Sequence, residues 1–458
     1  MMFQPWCSVT VRRTLKQQLL HQRQRPLGSL SCLKSWSQQH HSQTFIPRRQ
    51  GTPSSLSSIR SYHEVSFLNT GEPKDVLQYH SDTTVDDIVP PPASTTTTST
   101  TTTAAPLCRV EMLHVPWNPA DVNTVQGRYP SPHKNSTKKN NNHNHSRYFP
   151  SQTVVGSEGW GRVTHVLQTD DDKNCLTNDI PNWISEGSLV TLGASGYGTM
   201  RSSLWVPWHD LLTVPEQLLD RTGPAGCTLF QLGGTALRLL TDFVNLQRGD
   251  VILQNAGNSG VGMLVSQLAQ ALFGVSTVSM VRRGSKTVQE LDQLIDYMTT
   301  VGKNALVVVE GDLIDDKEAM HTFQQRLRDL SQNHQLPKLA LNSVGGPSAQ
   351  LLLKVLESGG SMVTYGGMSG QGIQVGTPQL IFKDVRVVGY WHSRWMIQHD
   401  ISEKQDMIDI LAKAVLDDQL TLPPVEVFSL RNVHEGLQWQ SEQSQAVIRN
   451  KLVWDCQE

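Results

Sequence analysis

Residues 249–262 read GDVILQNAGNSGVG, an apolar run passing into a glycine-rich turn. Asp250 to Ala256 has the clustered apolar character of a strand buried on both faces of a parallel sheet. Gly257, Gly260 and Gly262 then offer a tight turn, a close approach of backbone to a ligand, and close packing of a helix on the strand. A turn of this kind seats a pyrophosphate on a helix N-terminus.

The GxxGxG spacing is a variant of the usual dinucleotide fingerprint, so its neighbours decide how it is read. Val261 to Phe273 has apolar residues at helical spacing, and Ser276 to Val281 reads as a second strand ending in Arg282 and Arg283. Folds specific for NAD place an acidic residue at that strand end to hold the ribose 2'-hydroxyl. Two guanidinium groups suit a 2'-phosphate instead, which points to NADPH. The competing reading is an ordinary strand-turn-helix with arginines on a solvated loop.

From Leu229 onward strands and helices alternate. Candidate strands are Asp250 to Ala256, Ser276 to Arg282, Ala305 to Gly311, Leu339 to Gly345, Gly360 to Gly367 and Val385 to Trp391. Candidate helices are Val261 to Phe273, Lys286 to Thr300, Lys317 to Gln332 and Ser348 to Glu357. This predicts an α/β fold with a doubly wound six-stranded parallel sheet. Upstream, the short glycine-bounded runs Leu107 to Val115, Val154 to Leu167 and Gly187 to Ser195 predict a compact, mainly β domain, with a hairpin over Tyr62 to Tyr79. The expected organisation is a targeting segment over 1–61, the β-rich domain over 62–228, the nucleotide domain over 229–395 and a return to the β-rich domain over 396–458. Two tracts interrupt the β-rich part, a proline and threonine run over Pro90 to Pro106 and HKNSTKKNNNHNHS over His133 to Ser146. Both are too polar to bury and read as solvated insertions, the second in preference to a histidine metal site.

The 458 residues exceed one small core, and a formal net charge of -2 gives no reason to expect nucleic acid as a partner. Six cysteines without CxxC spacing argue against a disulfide scaffold or a structural zinc site. No apolar run reaches the length of about eighteen residues that a membrane span needs. The first acidic residue is Glu64, preceded by Arg12, Arg13, Lys16, Arg23, Arg25, Lys34, Arg48, Arg49 and Arg60. A basic, acid-free N-terminus of this kind reads as a transit peptide, for the mitochondrial matrix in preference to a plastid or to an unprocessed disordered tail.

With a nicotinamide cofactor supplying hydride, the protein must orient the reactants and provide a proton. Tyr129, ending NTVQGRYP, is the best proton-donor candidate, although a lone loop tyrosine can also be packing. Tyr365, Gly366, Gly367 and Met368 follow a strand, where glycines would let backbone approach the nicotinamide or simply make a tight turn. Tyr390, Trp391, His392 and Ser393 end the last strand and have a similar claim.

Together WNPADVNTVQGRY, GDVILQNAGNSGVG, LALNSVGG, MVTYGGM and LIFKDVRVVGYWHSRW, in this order, resemble the mitochondrial enoyl-[acyl-carrier-protein] reductases, or trans-2-enoyl-CoA reductases, of the medium-chain dehydrogenase/reductase superfamily. The likeness runs from about Tyr62 to the C-terminus, apart from the two insertions. It implies a GroES-like catalytic domain and NADPH-dependent reduction of the α,β double bond of a 2-enoyl thioester, on acyl carrier protein or CoA, for mitochondrial fatty acid synthesis. It also implies a homodimer, for which the free edge of the Val385 to Trp391 strand is a physical basis. By motif, Tyr129 falls on the family's catalytic tyrosine, and Asn258, Ser259, Gly260 and Val261 on its pyrophosphate loop. Arg282 and Arg283 fall on the 2'-phosphate grip, with Gly284 where a third basic residue is usual. The Tyr365 to Met368 and Tyr390 to Ser393 segments fall on the nicotinamide side, and Lys451, or else Arg449, on a C-terminal cofactor contact.

A comparison with zinc enzymes and two departures from the family bear on the resemblance. Where zinc alcohol dehydrogenases have a GHE motif this chain has Gly156-Ser157-Glu158, serine replacing the metal-binding histidine, so no metal is expected. Where the family has NPxT, with an asparagine touching cofactor, the chain reads Leu232-Gly233-Gly234-Thr235. The second insertion also begins close behind Tyr129. Two other functions remain open at this stage: a zinc-free NADPH quinone or alkenal reductase, which has no need of Tyr129, and a non-enzymatic nucleotide-binding protein.

Overall fold

A computed structural model describes residues 62–82, 107–128, 153–167, 183–194, 196–314, 316–443 and 446–457. The basic N-terminus, both low-complexity tracts and Tyr129 lie outside the described residues. The chain from Ser61 onward forms one compact unit.

The N-terminal lobe is built from β1 (Tyr62–Phe67), β2 (Gln78–Asp82), β3 (Leu107–Pro116), β4 (Thr153–Val154), β5 (Trp160–Leu167), β6 (Leu189–Leu192), β7 (Ser203–Pro207) and β8 (Leu211–Thr213). The expected hairpin forms, with Tyr62 of β1 opposite Asp82 of β2. The run read as one strand from Val154 to Leu167 is two, because Gly156 and Gly159 take φ of 106° and 156° between β4 and β5. Gly161 must stay side-chain-free, since a Cβ there would meet the Glu111 carbonyl oxygen of β3 at 2.4 Å.

The nucleotide lobe contains β9 (Val251–Asn255), β10 (Ser276–Val281), β11 (Leu306–Val309), β12 (Leu339–Asn342), β13 (Ser361–Thr364) and β14 (Arg386–Gly389). They form one six-stranded sheet in the order β11-β10-β9-β12-β13-β14, and each neighbouring pair is parallel. The strand order reverses across β9 and β12, which places the ligand crevice at their C-terminal ends. Side chains of β9 explain the two layers. Ile252 enters a core with the helices Leu229–Thr241, Gly260–Leu268 and Ile401–Leu416, whereas Val251 and Leu253 enter a core with Phe323, Leu327 and Leu352 on the other face. Removing apolar area from water on both faces at about 25 cal/mol per Å² is what holds such a sheet.

Several expected strands stop early. Ala256 turns at φ 46° and Gly345 at φ 85°, and Glu310–Asp312 forms a 3-10 turn, so the strand ends become loops that face the crevice. The helix expected over Val261 to Phe273 ends at Leu268 and continues as one π-helical turn, Ala269–Phe273, closed by left-handed Gly274.

After the nucleotide lobe, β15 (Val425–Ser429) and β16 (Lys451–Asp455) join the N-terminal lobe. They complete a seven-stranded sheet, β15-β16-β3-β5-β6-β8, with β7 also paired to β3. Two glutamines act as carboxamide clamps along the way. Gln405 donates to the Thr213 carbonyl at 2.9 Å and accepts from its N–H at 3.0 Å. Gln267 does the same for Thr421, at 3.1 and 2.7 Å. No helix among the described residues is long and apolar enough to cross a membrane.

Candidate active site

Ser259 caps the Gly260–Leu268 helix, its hydroxyl accepting from the Gly262 N–H at 3.1 Å. Its own N–H donates to the Ala256 carbonyl at 2.9 Å, which fixes the turn. A helix leaves its first N–H groups without intrahelical acceptors, so those of Gly260 and Val261 point out of the turn beside half-buried Ser259 and exposed Asn258. Gly262 is obligatory here. A Cβ on it would lie 2.7 Å from the Gly257 carbonyl oxygen and 2.8 Å from its Cα, both backbone atoms that cannot move aside. Beneath the turn, the Gln254 carboxamide donates to the Gly262 carbonyl and the Ser279 hydroxyl, both at 2.9 Å.

Arg282 and Arg283 follow directly on β10 and are both exposed. Gly284 comes next at φ 58°, and Thr287 and Glu290 then close a capping box on the Val288–Thr300 helix. The guanidinium groups therefore stand at the second strand's C-terminal end, on the crevice side.

A buried polar relay ties the other strand ends together. Asn255 donates to Asn342 Oδ1 at 2.8 Å and to the Ser348 hydroxyl at 3.0 Å, and Ser348 donates to Glu310 at 2.6 Å. Asn342 Oδ1 also accepts the N–H groups of Val344 and Gly345. Next to this relay the hydroxyls of Ser343 and Tyr365 are buried. Tyr365 lies beside Ser259 and Ser343, and burial raises its phenol's pKa. Gly366 and Gly367 follow, and Met368 is exposed.

The Tyr390 to Ser393 segment meets the nucleotide lobe differently. The Tyr390 hydroxyl is 2.8 Å from His392 Nδ1, and the His392 ring lies parallel to Trp395, over which Arg238 sits at 4.8 Å. A Cβ on Gly234 would come within 2.8 Å of the imidazole, so this glycine makes room for the ring. Burial first, and Arg238 second, push the His392 pKa down to about 4. Trp391 and Ser393 are half-buried at the start of the His392–Gln398 helix.

A second cluster joins the lobes, and most of its members did not stand out in the sequence. Asn118 caps the Pro119–Val125 helix, and its N–H donates to Asp121 at 2.8 Å. Its carboxamide donates to Glu158 Oε1 at 2.7 Å and to Gln231 Oε1 at 2.9 Å, and its Oδ1 accepts from Lys451 Nζ at 2.7 Å. Glu158 Oε2 accepts the Gln231 backbone N–H at 2.7 Å. Burial raises the carboxyl pKa of both acids, Asp121 to about 6, against the pull of their hydrogen bonds and of Lys451. Burial likewise lowers that of Lys451, against the attraction of Glu158 and Asp121. Two sequence signals were available: Asn-Pro-Ala-Asp is a helix-capping signature, and Glu158 is the acid of the Gly-Ser-Glu triplet.

Lys451 therefore sits with Asn118 and the buried acids. Arg449 instead lines a narrow cleft with Asn258, Gly260, Met263, Tyr297 and Pro424. Tyr129 falls one residue beyond the described chain. The turn leading to it is held by Arg128 N–H donating to the Asn123 carbonyl at 2.8 Å, with Gly127 at φ 69°. Among the described residues no group of three or more His, Cys, Asp or Glu side chains is placed to hold a metal ion.

The family model described as zinc-binding dehydrogenase matches residues 260–413. The mitochondrial enoyl-[acyl-carrier-protein] reductase of Dictyostelium discoideum is 35% identical over 315 residues, covering 68% of this chain and 77% of that protein. The human protein of the same name is 33% identical over 331 residues, covering 72% and 76%. Among solved structures, the Etr1p/NADP/crotonyl-CoA complex aligns with a TM-score of 0.68 at 24% identity, over 86% of this chain and 99% of that one. The mitochondrial 2-enoyl thioester reductase Etr1p/Etr2p heterodimer from Candida tropicalis aligns with a TM-score of 0.67 at 25% identity, over the same shares of 86% and 99%.

Proposed function

Because the chain belongs to the family of mitochondrial enoyl-[acyl-carrier-protein] reductases, we propose that it reduces the 2,3-double bond of trans-2-enoyl thioesters with NADPH. The observation that carries this reading is the capped helix N-terminus at Ser259 beside Arg282 and Arg283, at the switch point of the parallel sheet.

The residues fit the dinucleotide. The N–H groups of Gly260 and Val261 suit its pyrophosphate, and Arg282 and Arg283 its 2'-phosphate. Ser343 and Tyr365 present buried hydroxyls next to the same turn. Bound there, NADPH supplies the hydride that adds to the β-carbon of the enoyl thioester.

The chain's own part is to orient the thioester, to stabilise the enolate oxygen and to deliver one proton to the α-carbon. We assign the proton to Tyr129, which follows the Gly127-Arg128 turn in the chain. General acid help of this kind is worth roughly 10² to 10⁴ in rate. The product is the saturated thioester, with hydride on the β-carbon and proton on the α-carbon. Acyl carrier protein or CoA carries the acyl group, the enzyme works in the mitochondrial matrix, and it functions as a homodimer through β14. That strand ends its sheet with all four residues exposed, an edge that needs cover. Exposed Ile381, Phe382, Val387 and Val388 lie on or close before it in the chain.

The test is NADPH oxidation by the purified protein against 2-enoyl thioesters on both carriers, with a quinone in parallel. Turnover of the thioesters is expected, and turnover of the quinone alone would overturn the reading.

A further inference from the structure

The Asn118 cluster does something that neither the hydride nor the proton transfer requires. It places two carboxylates and one ammonium between segments that meet only at the junction of the lobes. Glu158 is 6% exposed and accepts from both sides at once, from the Asn118 side chain of the N-terminal lobe and from the Gln231 backbone at the start of the Leu229–Thr241 helix. The residue after Gln231 is Leu232, whose Cδ1 lies 3.0 Å from where a Cβ on Gly260 would stand. Holding Gln231 therefore holds the side chain that backs the pyrophosphate turn. On its other side, Glu158 fixes which way the Asn118 carboxamide faces, and so presents Oδ1 to Lys451.

We propose that Glu158 is a positioning residue whose carboxylate locks the lobes into the arrangement that receives NADPH, and that protonating it releases the lock. This rests on the nucleotide reading above. The chemistry is one of counting lone pairs. A carboxylate accepts strongly from Asn118 and Gln231 together, whereas in a carboxylic acid one oxygen carries an O–H and accepts an N–H only weakly. One hydrogen bond is then weakened, which leaves Gln231 and Lys451 to hold the Asn118 carboxamide.

The charged and titratable groups facing Glu158 are Lys451 on β16, Asp121 on the Pro119–Val125 helix and Cys227 in the 3-10 segment Gly223–Thr228. Lys451 favours the carboxylate, Asp121 opposes it, and burial opposes it most. The site thus protonates above the ordinary carboxylate range, where the enzyme can meet it.

The experiment is the Kd of NADPH, read from its fluorescence over a series of pH values. NADH is measured in parallel because it lacks the 2'-phosphate and that group's own titration. In the wild-type protein both cofactors should weaken as pH falls through the Glu158 titration, NADH by about the tenfold or more that separates carboxylate from acid, since a proton must be released on binding. In Glu158→Gln the carboxamide reproduces the protonated state's donor, so NADH binding should be weak, by about tenfold or more at alkaline pH for one misplaced buried hydrogen bond, and flat with pH. A part that is merely structural would lower Tm and leave the slope unchanged. Asn118→Asp keeps the size but sets a second carboxylate against Glu158, and should move the fall in affinity to higher pH.

Flat wild-type NADH binding across this range overturns the proposal without any variant, as does a Glu158→Gln protein with wild-type affinity and slope. Enoyl thioester turnover at saturating NADPH is scored separately. Its failure with the pH linkage intact would sink the substrate reading alone, and normal turnover with flat binding would sink this inference alone.

Discussion

His392 shows how one side chain can carry both packing and a pH signature. It is held neutral under Arg238, with its pKa pushed down to about 4, and the unfolded chain would protonate it near the ordinary value of 6.5. The native state therefore resists a proton that the unfolded state accepts. Its stability contribution is complete above about pH 6.5 and is lost as pH falls toward about 4, by up to ~3 kcal/mol. Denaturant titrations of wild type and His392→Gln should show the variant losing less over that window, and parallel slopes would refute the assignment. Tyr129→Phe tests the other extreme, a residue whose value lies in the transition state. It should fold and bind NADPH normally while kcat falls roughly a hundredfold, the scale of a lost general acid. A kcat near wild type would make Tyr129 structural and send the proton elsewhere.

At the scale of elements, the glycine turn invites a sharper prediction than stability alone. Gly262→Ala forces a methyl against the Gly257 backbone, so the turn must open and the outward N–H groups lose their common focus. NADPH affinity should fall by about tenfold or more, through more than 1.4 kcal/mol of lost binding, with a smaller proportional change in Tm, as calorimetry of binding and unfolding would record. The double variant Arg282→Ala and Arg283→Ala should weaken NADPH far more than NADH, because only the phosphate loses charge-assisted bonds. An unchanged preference between the two would mean that neither arginine grips it. These elements were readable in the sequence because each rests on local pattern. Apolar runs, helical periodicity and glycine spacing all act within a few residues. The Asn118 cluster was not readable in the same way. Asn118 and Lys451 are 333 residues apart and Asn118 and Gln231 are 113 apart. Each taken singly is an ordinary polar residue, at a helix cap, in a helix or at a strand start. Pairing of β16 with β3 brings Lys451 to Asn118, and the packing of the Leu229–Thr241 helix brings Gln231. The Leu232 to Thr235 departure had the same character, since its meaning lay in the His392 ring across from Gly234 and in Gln231 just before it.

Across the whole molecule, the sheet order followed from alternation of strands and helices, while the exact strand ends did not, because left-handed turns at Ala256 and Gly345 cut them short. The exposed edge at β14 is the feature that most bears on assembly. Val388→Asp would place a charge on that edge and should shift the protein toward monomer in analytical ultracentrifugation, with the nucleotide site intact by NADPH titration. A wild-type protein that sediments as a monomer would remove the homodimer. The two sheets also differ in how the chain supplies them. The six-stranded sheet draws on an unbroken stretch from Val251 to Gly389. The seven-stranded sheet takes β16 from the far end of the chain and inserts it between β15 and β3. During synthesis, therefore, the first sheet can close while the tail is still being made. The other must wait with the His114 to Pro116 end of β3, beyond its pairing with β7, open until β16 emerges. A premature stop just before Lys451 would spare the sheet that receives nucleotide, yet leave β15 without its neighbour and the His114 to Pro116 end of β3 uncovered.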